Sequence, residues 1–173
     1  KGIEEALVAS DYIFIINPDL TIEKDTIKFL VNAAQFENAQ ILGPKIYFYQ
    51  TNKIWYAGGI MDLYNVSGSH IGVNEEDRGQ YSQKIDTDYV SGAAIFVERK
   101  VFLKIGLFDE RYFLYYEDSD FCYRAKMEGF KIIFVPQAKV FHKNAQSTGL
   151  GSPLLDYYMS RNRMLFASKF LSF

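Results

Sequence analysis

A short apolar run that ends in a polar turn constrains the fold more than any other feature of this chain. Residues 12–16 (Tyr-Ile-Phe-Ile-Ile) are continuously apolar, and Asn17-Pro18-Asp19 follows directly. Such a run is typical of a strand that is covered on both faces in a parallel sheet. The turn would then lie at the carboxyl end of the strand, where open α/β sheets bind ligands.

The rest of the chain alternates between helix patterns and strand patterns, which predicts an α/β fold. Helices are predicted over residues 3–9, 23–36, 99–105, 117–128 and 154–170. Strands are predicted over residues 41–42, 45–49, 89–97, 131–135 and 140–142, with a turn at Gly43-Pro44 and a strand end at Pro136. Residues 65–88 are polar and contain glycine, so we expect a long loop insertion within a single domain, 1–173.

Composition excludes several classes of protein. With 49% hydrophobic and 23% charged residues, the chain has the composition of a folded domain rather than of a disordered segment. A net charge of −2 gives no basis for binding nucleic acid. The only cysteine is Cys122, so no internal disulfide can form, which fits a reducing compartment. Because the first residue is Lys1 rather than Met, and the residues that follow read as the middle of a longer segment, we interpret the chain as a fragment or a processed product.

The Asn17-Pro18-Asp19 turn offers the first candidate for chemistry. A carboxylate that follows a buried strand faces the ligand crevice, and Mg²⁺ or Mn²⁺ prefers oxygen ligands of this kind beside substrate phosphates. The alternative is a plain turn in which Asp19 or Thr21 caps the next helix. The motif alone leaves both interpretations open.

Three carboxylates within four residues form the second candidate. Glu117, Asp118 and Asp120 follow an aromatic run and begin a predicted helix, whose free N–H groups and dipole stabilise negative charge. An ionised Asp at the mouth of a cleft can remove a proton from an attacking hydroxyl group. The alternative is that these residues only cap the helix.

His142 is the third candidate, because it ends a strand-like segment. A single histidine is usually a hydrogen-bonded structural residue. As a neutral imidazole it could instead complete the metal site that Asp19 begins.

Taken together, these motifs resemble one known family. The segments that carry the resemblance are residues 12–19, 43–46, 57–59, 88–94, 106–110, 113–124 and 140–143. In order and spacing they are similar to the family-2 glycosyltransferases of the rhamnosyltransferase group. The most specific part is Glu117-Asp118 with its preceding aromatic residues and the following Arg124. The resemblance implies a GT-A fold, in which helices flank a mixed sheet, here without its first βαβ portion.

The resemblance also implies roles for individual residues. Asp19 and His142 would bind the Mg²⁺ or Mn²⁺ that holds the diphosphate of the donor. Asn17 stands where many relatives have an Asp, and it would contact the donor. Asp118 would be the catalytic base, and Glu117 would orient the acceptor or the base.

Five further residues are candidates for donor or acceptor binding under the same resemblance. Gly92 would let the backbone approach a substrate closely, because it has no Cβ atom. Trp55 and Tyr89 would line the acceptor pocket. Arg161 and Arg163 would neutralise the charge of the diphosphate, or they would be surface charges.

The implied reaction is an inverting transfer of a sugar, such as rhamnose, from a nucleotide-diphosphate sugar. The acceptor would be a saccharide or a lipid-linked saccharide in cell-surface polysaccharide synthesis, at the cytoplasmic face of the membrane and in peripheral contact with it. Without the first βαβ portion, we expect this chain to be inactive by itself and to self-associate through an exposed sheet edge. The alternatives are a non-catalytic sugar-binding module of the same fold and a Mg²⁺-dependent nucleotidyltransferase.

Overall fold

A computed structural model describes residues 1–143 and 152–171. The helices are α1 (Gly2–Ala6), α2 (Thr26–Glu37), α3 (Arg99–Ile105), α4 (Glu117–Met127) and α5 (Pro153–Phe170). The strands are β1 (Tyr12–Ile16), β2 (Leu20–Ile22), β3 (Ile41–Phe48), β4 (Ile54–Tyr56), β5 (Gly59–Asp62), β6 (Ser67–His70), β7 (Ile85–Asp86), β8 (Ala94–Glu98) and β9 (Ile132–His142). No helix in the described ranges combines the length and the apolar character that crossing a membrane requires.

The main sheet is mixed, which confirms the predicted α/β class. Its central strands lie in the order β1-β8-β3-β9-β2, β4 pairs with β3, and β7 pairs with β9. The β3–β9 pair is parallel, and the other pairs of this sheet are antiparallel. Strands β5 and β6 form a separate two-stranded sheet.

Helices cover both faces of the main sheet, and adjacent residues of one strand serve different faces. Ile41 packs with the α3 and α4 side chains, for example Phe102 and Phe121. Its neighbour Leu42 packs with Leu30 on α2. This follows from the two-residue period of a strand, and it explains why the strands read as continuous apolar runs.

The first strand corrects one prediction. β1 was expected to be a strand of a parallel sheet, but it runs antiparallel to β8, with Ile13 opposite Val97, and it ends the strand order. Tyr12 and Phe14 pack on the α2 side and Ile13 packs on the other. A continuous apolar run therefore reports that both faces are covered, and it carries no information on strand direction.

Two prolines that were predicted to interrupt strands lie within continuous strands. β3 runs through Gly43-Pro44, and β9 runs through Pro136. The two strands are in parallel register up to Pro44 opposite Val135, and the pairing then resumes with Lys45 opposite Lys139. The register shift accommodates the missing N–H groups, because a bulge leaves residues outside the ladder.

The segment predicted as a loop contains regular structure as well. Residues 65–88 include β6 and β7 besides turns and bends. β6 pairs with β5 from Gly59 opposite His70 to Asp62 opposite Ser67. The polar composition hid this hairpin, because neither of its strands alternates apolar and polar residues regularly.

The helix predictions agree with the structure within a few residues. α3 has the predicted bounds, and α4 starts at the predicted Glu117. Gly129 follows α4 with a φ of 80°, which is the left-handed conformation expected of a glycine that ends a helix. The strand predicted over residues 89–97 starts only at Ala94.

Candidate functional site

A cleft of about 620 Å³ opens where β1, β9 and the N-terminal end of α4 meet. The β5–β6 hairpin and α5 contribute further walls through Ser69 and Met159. Most of the residues singled out in the sequence line it, namely Asn17, Trp55, Tyr89, Gly92, Glu117, Asp118 and His142. Residues that are far apart along the chain therefore share one cavity.

One side of the cleft is built by regular strand pairing. β2 pairs with β9 so that Leu20 lies opposite His142. The backbone N–H of Lys143 donates to the backbone carbonyl of Asp19 at 2.9 Å. As a result, the Asp19 Oδ2 atom lies 3.0 Å from the Nε2 atom of His142.

The Asp19–His142 pair suits a divalent cation. A carboxylate oxygen and an imidazole nitrogen are both ligands that Mg²⁺ or Mn²⁺ accepts. Asp19 Oδ2 and His142 Nε2 lie within hydrogen-bonding distance of each other, 3.0 Å, so both could contact one ion. Within residues 1–143 and 152–171, no group of three or more His, Cys, Asp or Glu side chains surrounds one point. Mg²⁺ beside phosphates typically keeps several water ligands and is held by one or two protein groups, so a two-residue site is of the usual kind.

The other side of the cleft carries Asp118, on the first turn of α4. Its Oδ2 atom accepts a hydrogen bond from the backbone N–H of Gly92 at 2.9 Å. Its Oδ1 atom accepts from the backbone N–H of Ser119 at 2.6 Å and from the Ser119 hydroxyl at 3.2 Å. Gly92 thus positions Asp118 through its own backbone. A Cβ atom at Gly92 would lie 3.4 Å from both Asp118 Cβ and Glu117 Oε1.

Glu117 lies beside Asp118 with little access to water. Burial, followed by the negative charge of Asp118, raises the pKa of Glu117 to about 7. Its Oε2 atom is buried and has no hydrogen-bond partner in the described structure. Near neutral pH Glu117 is therefore close to half protonated.

The loop before α4 has an unusual backbone. Phe113, Tyr115 and Tyr116 have φ angles of 61°, 67° and 70°, in the left-handed region that residues other than glycine seldom adopt. Because Tyr116 directly precedes Glu117, this loop sets the direction in which α4 begins. Its conformation needs support from elsewhere in the fold.

Asn162 of α5 supplies that support. It is fully buried, and its Nδ2 atom donates to the carbonyls of Tyr112, Leu114 and Tyr115 at 2.9, 2.6 and 2.8 Å. The two hydrogens of this amide group thus serve three backbone acceptors of the strained loop, so one hydrogen is shared between two carbonyls. The sequence reasoning missed it, because an Asn among aromatic residues of a helix gives no local signal.

Asp120, the third carboxylate of the acidic turn, has a structural role. It is fully buried, and it pairs with Arg124 at 2.7 Å and with Lys169 at 2.5 Å. Lys169 lies on α5 and also pairs with Asp109 at 2.9 Å. The Asp120–Lys169 pair therefore links α4 to α5, and none of these residues lines the cleft.

The remaining predicted residues occupy different positions. The backbone N–H of Asn17, which lines the cleft, donates to the carbonyl of Ala93 at 2.9 Å. Arg161 and Arg163 are exposed on α5, and neither lines the cleft. The guanidinium of Arg161 donates to the Oδ1 atom of Asn162 at 3.0 Å.

The cleft also contains His70, which the sequence reasoning did not single out. It lies on β6, inside the segment predicted as a loop. The Trp55 ring packs against His70 on one side, with ring centres 4.5 Å apart, and against His142 on another, at 5.0 Å. Only the pairing of β5 with β6 brings this residue into the wall.

The chain is similar in sequence to one protein family and to several curated proteins. The family model described as "Glycosyltransferase like family 2" matches residues 1–163. The chain is 30% identical, over 80% of its length, to N-acetylglucosaminyl-diphospho-decaprenol L-rhamnosyltransferase of Mycobacterium tuberculosis, of which it covers 49%. It is 29% identical, over 92% of its length, to dTDP-rhamnosyl transferase RfbF of Shigella flexneri, of which it covers 54%. The chain thus spans about half the length of these curated relatives.

The fold is also found among solved structures. The crystal structure of GalNAc-T7 with UDP, GalNAc and Mn²⁺ superposes with a TM-score of 0.65. The superposition covers 91% of this chain and 32% of that one, at 18% sequence identity. A likeness at this level of identity concerns the fold alone.

Proposed function

The chain belongs to glycosyltransferase family 2, and from this premise we propose that it transfers a sugar from a nucleotide-diphosphate donor to a hydroxyl group of a saccharide acceptor. One observation carries the proposal. Asp118 lines one side of the cleft, and His142, paired with Asp19, lines the same cleft. A base and a pair of metal-binding groups in one cavity are the parts that such a transfer needs.

In the proposed reaction Asp118 acts as the base. It takes the proton of the acceptor hydroxyl, and the hydroxyl oxygen attacks the anomeric carbon of the donor sugar. The bond from this carbon to the diphosphate oxygen breaks, and the nucleoside diphosphate leaves with the electron pair. One displacement inverts the anomeric configuration.

Asp19 and His142 are the groups that would hold Mg²⁺ or Mn²⁺ in this reaction. A divalent cation bound there would stabilise the negative charge that develops on the leaving diphosphate. The GalNAc-T7 structure contains Mn²⁺ and UDP, which supports this part of the proposal by likeness of fold. Asn17 lies on the same side of the cleft and is our candidate for a donor contact.

The other groups of the cleft divide the remaining tasks. Glu117 would orient the acceptor as a hydrogen-bond donor while it is protonated, since its pKa is raised to about 7. Trp55 and Tyr89 line the cleft and would pack against the acceptor sugar. Gly92 serves through its N–H group, which holds Asp118. Arg161 and Arg163, which are exposed on α5 outside the cleft, would neutralise charge of the donor diphosphate, or they would be surface charges.

The names of the relatives guide the choice of substrates. Both relatives are named as rhamnosyl transferases, one with dTDP in its name and one with an N-acetylglucosaminyl diphospholipid. We therefore propose dTDP-rhamnose as donor and a lipid-linked saccharide as acceptor, used at the cytoplasmic face of the membrane. We also propose that the protein self-associates through β1, which is the last strand in the sheet order.

A transfer assay on the complete protein tests this function. dTDP-rhamnose would be compared with UDP- and GDP-sugars, with Mn²⁺ or Mg²⁺ and with a short-chain N-acetylglucosaminyl diphospholipid as acceptor. We expect one donor to be transferred, EDTA to suppress the transfer, and NMR of the product to show an inverted anomeric configuration. Retained configuration would contradict the single displacement, and no transfer from any donor would contradict the function.

A further inference from the structure

His70 is the one histidine of the cleft that the mechanism above does not use. It lines the same cavity as Asp118 and His142. Its ring packs edge-on against Trp55 and Tyr56, with ring centres 4.5 and 5.1 Å apart, and lies 5.9 Å from the ring of Tyr89. These aromatic contacts hold the imidazole in one orientation.

The hydrogen bond of the His70 ring identifies its tautomer. The Nδ1 atom lies 3.1 Å from the backbone carbonyl of Trp55. A carbonyl oxygen only accepts, so Nδ1 must carry the hydrogen. In the neutral ring the other nitrogen, Nε2, then has a free lone pair and acts as an acceptor.

Several groups around His70 bear on its charge. Burial lowers the pKa of His70, and this effect exceeds the opposing effects of the Asp118 charge and of the Trp55 carbonyl, which both raise it. The neighbouring phenols Tyr56 and Tyr89 have pKa values raised by burial, so they carry no charge near neutral pH. The ring of His70 is therefore neutral under physiological conditions.

The Nε2 atom of His70 is open to the cleft. Within residues 1–143 and 152–171, no hydrogen bond to this atom is present. Among the residues that the structure describes, the buried side-chain polar atoms without a partner are Arg99 Nε, Tyr112 Oη, Glu117 Oε2 and His142 Nδ1, and His70 Nε2 is not one of them. An atom that has no partner and is not buried, on a residue that lines the cleft, faces the space that a ligand would fill.

We propose that His70 is a substrate-binding residue whose Nε2 atom accepts a hydrogen bond from a hydroxyl group of the acceptor sugar. This inference rests on the proposed glycosyl transfer. The chemistry of the atom selects the ligand group, because a lone pair attracts an O–H donor and repels the oxygens of an ionised diphosphate. His70 packs on Trp55 and Tyr89, the two rings proposed to contact the acceptor sugar, and it lines the same cavity as Asp118, so the bound hydroxyl belongs to the acceptor.

Two variants of His70 separate this role from a purely structural one. His70→Asn retains an N–H group near Nδ1 that can donate to the Trp55 carbonyl, but it lacks the acceptor at Nε2. His70→Gln reaches the Nε2 position with an amide oxygen. We expect His70→Asn to raise the acceptor KM about tenfold, the value of one hydrogen bond, with the donor KM unchanged. His70→Gln should recover part of the loss. Equal losses in both variants, or a change confined to the donor KM, would overturn the proposal.

NMR of the full chain labelled with ¹⁵N-histidine gives a readout that does not depend on transfer. The chain has two histidines, so His70→Asn assigns both rings at once. We expect His70 Nε2 to be unprotonated in the free protein and its signal to shift when N-acetylglucosamine or the diphospholipid acceptor is added. A protonated Nε2, or no shift with either probe at saturating concentration, would refute the role of His70. Absence of transfer from every donor, with the shift present, would instead count against the proposed reaction alone.

Discussion

The two sides of the cleft are built by different means. Asp19 and His142 are positioned by strand pairing, since β2 and β9 are hydrogen-bonded through their backbones next to both residues. Asp118 and Glu117 are positioned by an irregular loop with three left-handed residues, which depends on one side chain, Asn162. The first side is thus held by regular strand pairing. On the second side Asp118 also accepts from backbone N–H groups, those of Gly92 and Ser119, but the loop that precedes it is supported by one particular side chain, Asn162.

This difference predicts where the protein tolerates substitution. On the Asp19 side, a side chain can change while the backbone register remains, so function and stability can be separated. On the Asp118 side, the groups that hold the base are also groups that stabilise the fold.

Asp118→Asn should reduce transfer by about 10²–10⁴-fold, because the general base is lost. An Asn oxygen can still accept from the N–H of Gly92, so donor binding should stay nearly unchanged. The measurement is kcat together with calorimetric titration of the donor. Glu110→Gln removes one exposed charge outside the cleft and serves as the matched control. Transfer that persists in Asp118→Asn would show that another group is the base.

Glu117→Gln should change the pH dependence of stability. The folded-state pKa of Glu117 is raised to about 7 from an unfolded value near 4.5, so the folded state binds the extra proton. The stability that comes with this proton is fully present below about pH 4.5 and is lost as the pH rises through about 7. A neutral Gln should therefore be favoured over Glu117 increasingly across that window, by at most about 3 kcal/mol.

Urea unfolding of both proteins at a series of pH values measures this difference. If the free energies of unfolding of Glu117→Gln and the wild type differed by a constant amount from pH 4 to pH 8, the raised pKa would be contradicted. A difference in the free energy of unfolding that widens toward low pH would mean that folding lowers the pKa of Glu117 instead of raising it.

Asn162→Leu should cost about 1–3 kcal/mol in the free energy of unfolding, because buried carbonyls of the loop lose their donor. kcat should also fall, since Glu117 and Asp118 follow this loop directly. Met164→Ala changes a residue of the same helix that is 69% exposed, and it should cost far less. If Asn162→Leu cost no more than Met164→Ala, the strained loop would not depend on Asn162.

In contrast to Asn162→Leu, Asp19→Asn should weaken metal binding and leave the stability of the fold nearly unchanged. The backbone carbonyl of Asp19 still accepts from Lys143, so the free energy of unfolding should change by less than about 0.5 kcal/mol. The loss of a charged ligand should raise the Mn²⁺ concentration needed for half-maximal activity by about tenfold or more. Chemical unfolding and a Mn²⁺ titration of the rate measure the two quantities. A large loss of stability would remove the distinction between the two sides of the cleft.

Local patterns predicted much of the fold and part of the site. The alternation of helices and strands, the bounds of α3 and the start of α4 follow from short-range spacing and from end signals such as Gly129. Asp19, Asp118 and His142 stood out because they follow a predicted strand, begin a predicted helix or end a predicted strand, and sheet ends and helix N-termini are places where ligands and charges are held. Their resemblance to a family connected them, and the cleft brings Asp118 and His142 into one cavity.

Other features lay beyond the reach of local patterns. The antiparallel direction of β1 and the passage of β3 and β9 through their prolines depend on which strand lies alongside. His70 looked like part of a polar loop, because its place in the wall depends on the pairing of β6 with β5. Asn162 acts on residues about 50 positions earlier in the chain.

By itself, the sequence determined the class of fold, the covering of the sheet on both faces and the side chains capable of chemistry. These features follow from the period of hydrophobic residues and from residue type over short stretches of the chain. Only the tertiary structure decided which strand pairs with which, which carboxyl group is buried enough to hold its proton near pH 7, and which histidine faces the cleft with a free lone pair. The physical reason is that burial and hydrogen-bond partners are properties of residues brought together over long distances in the chain, and these set pKa values and tautomers.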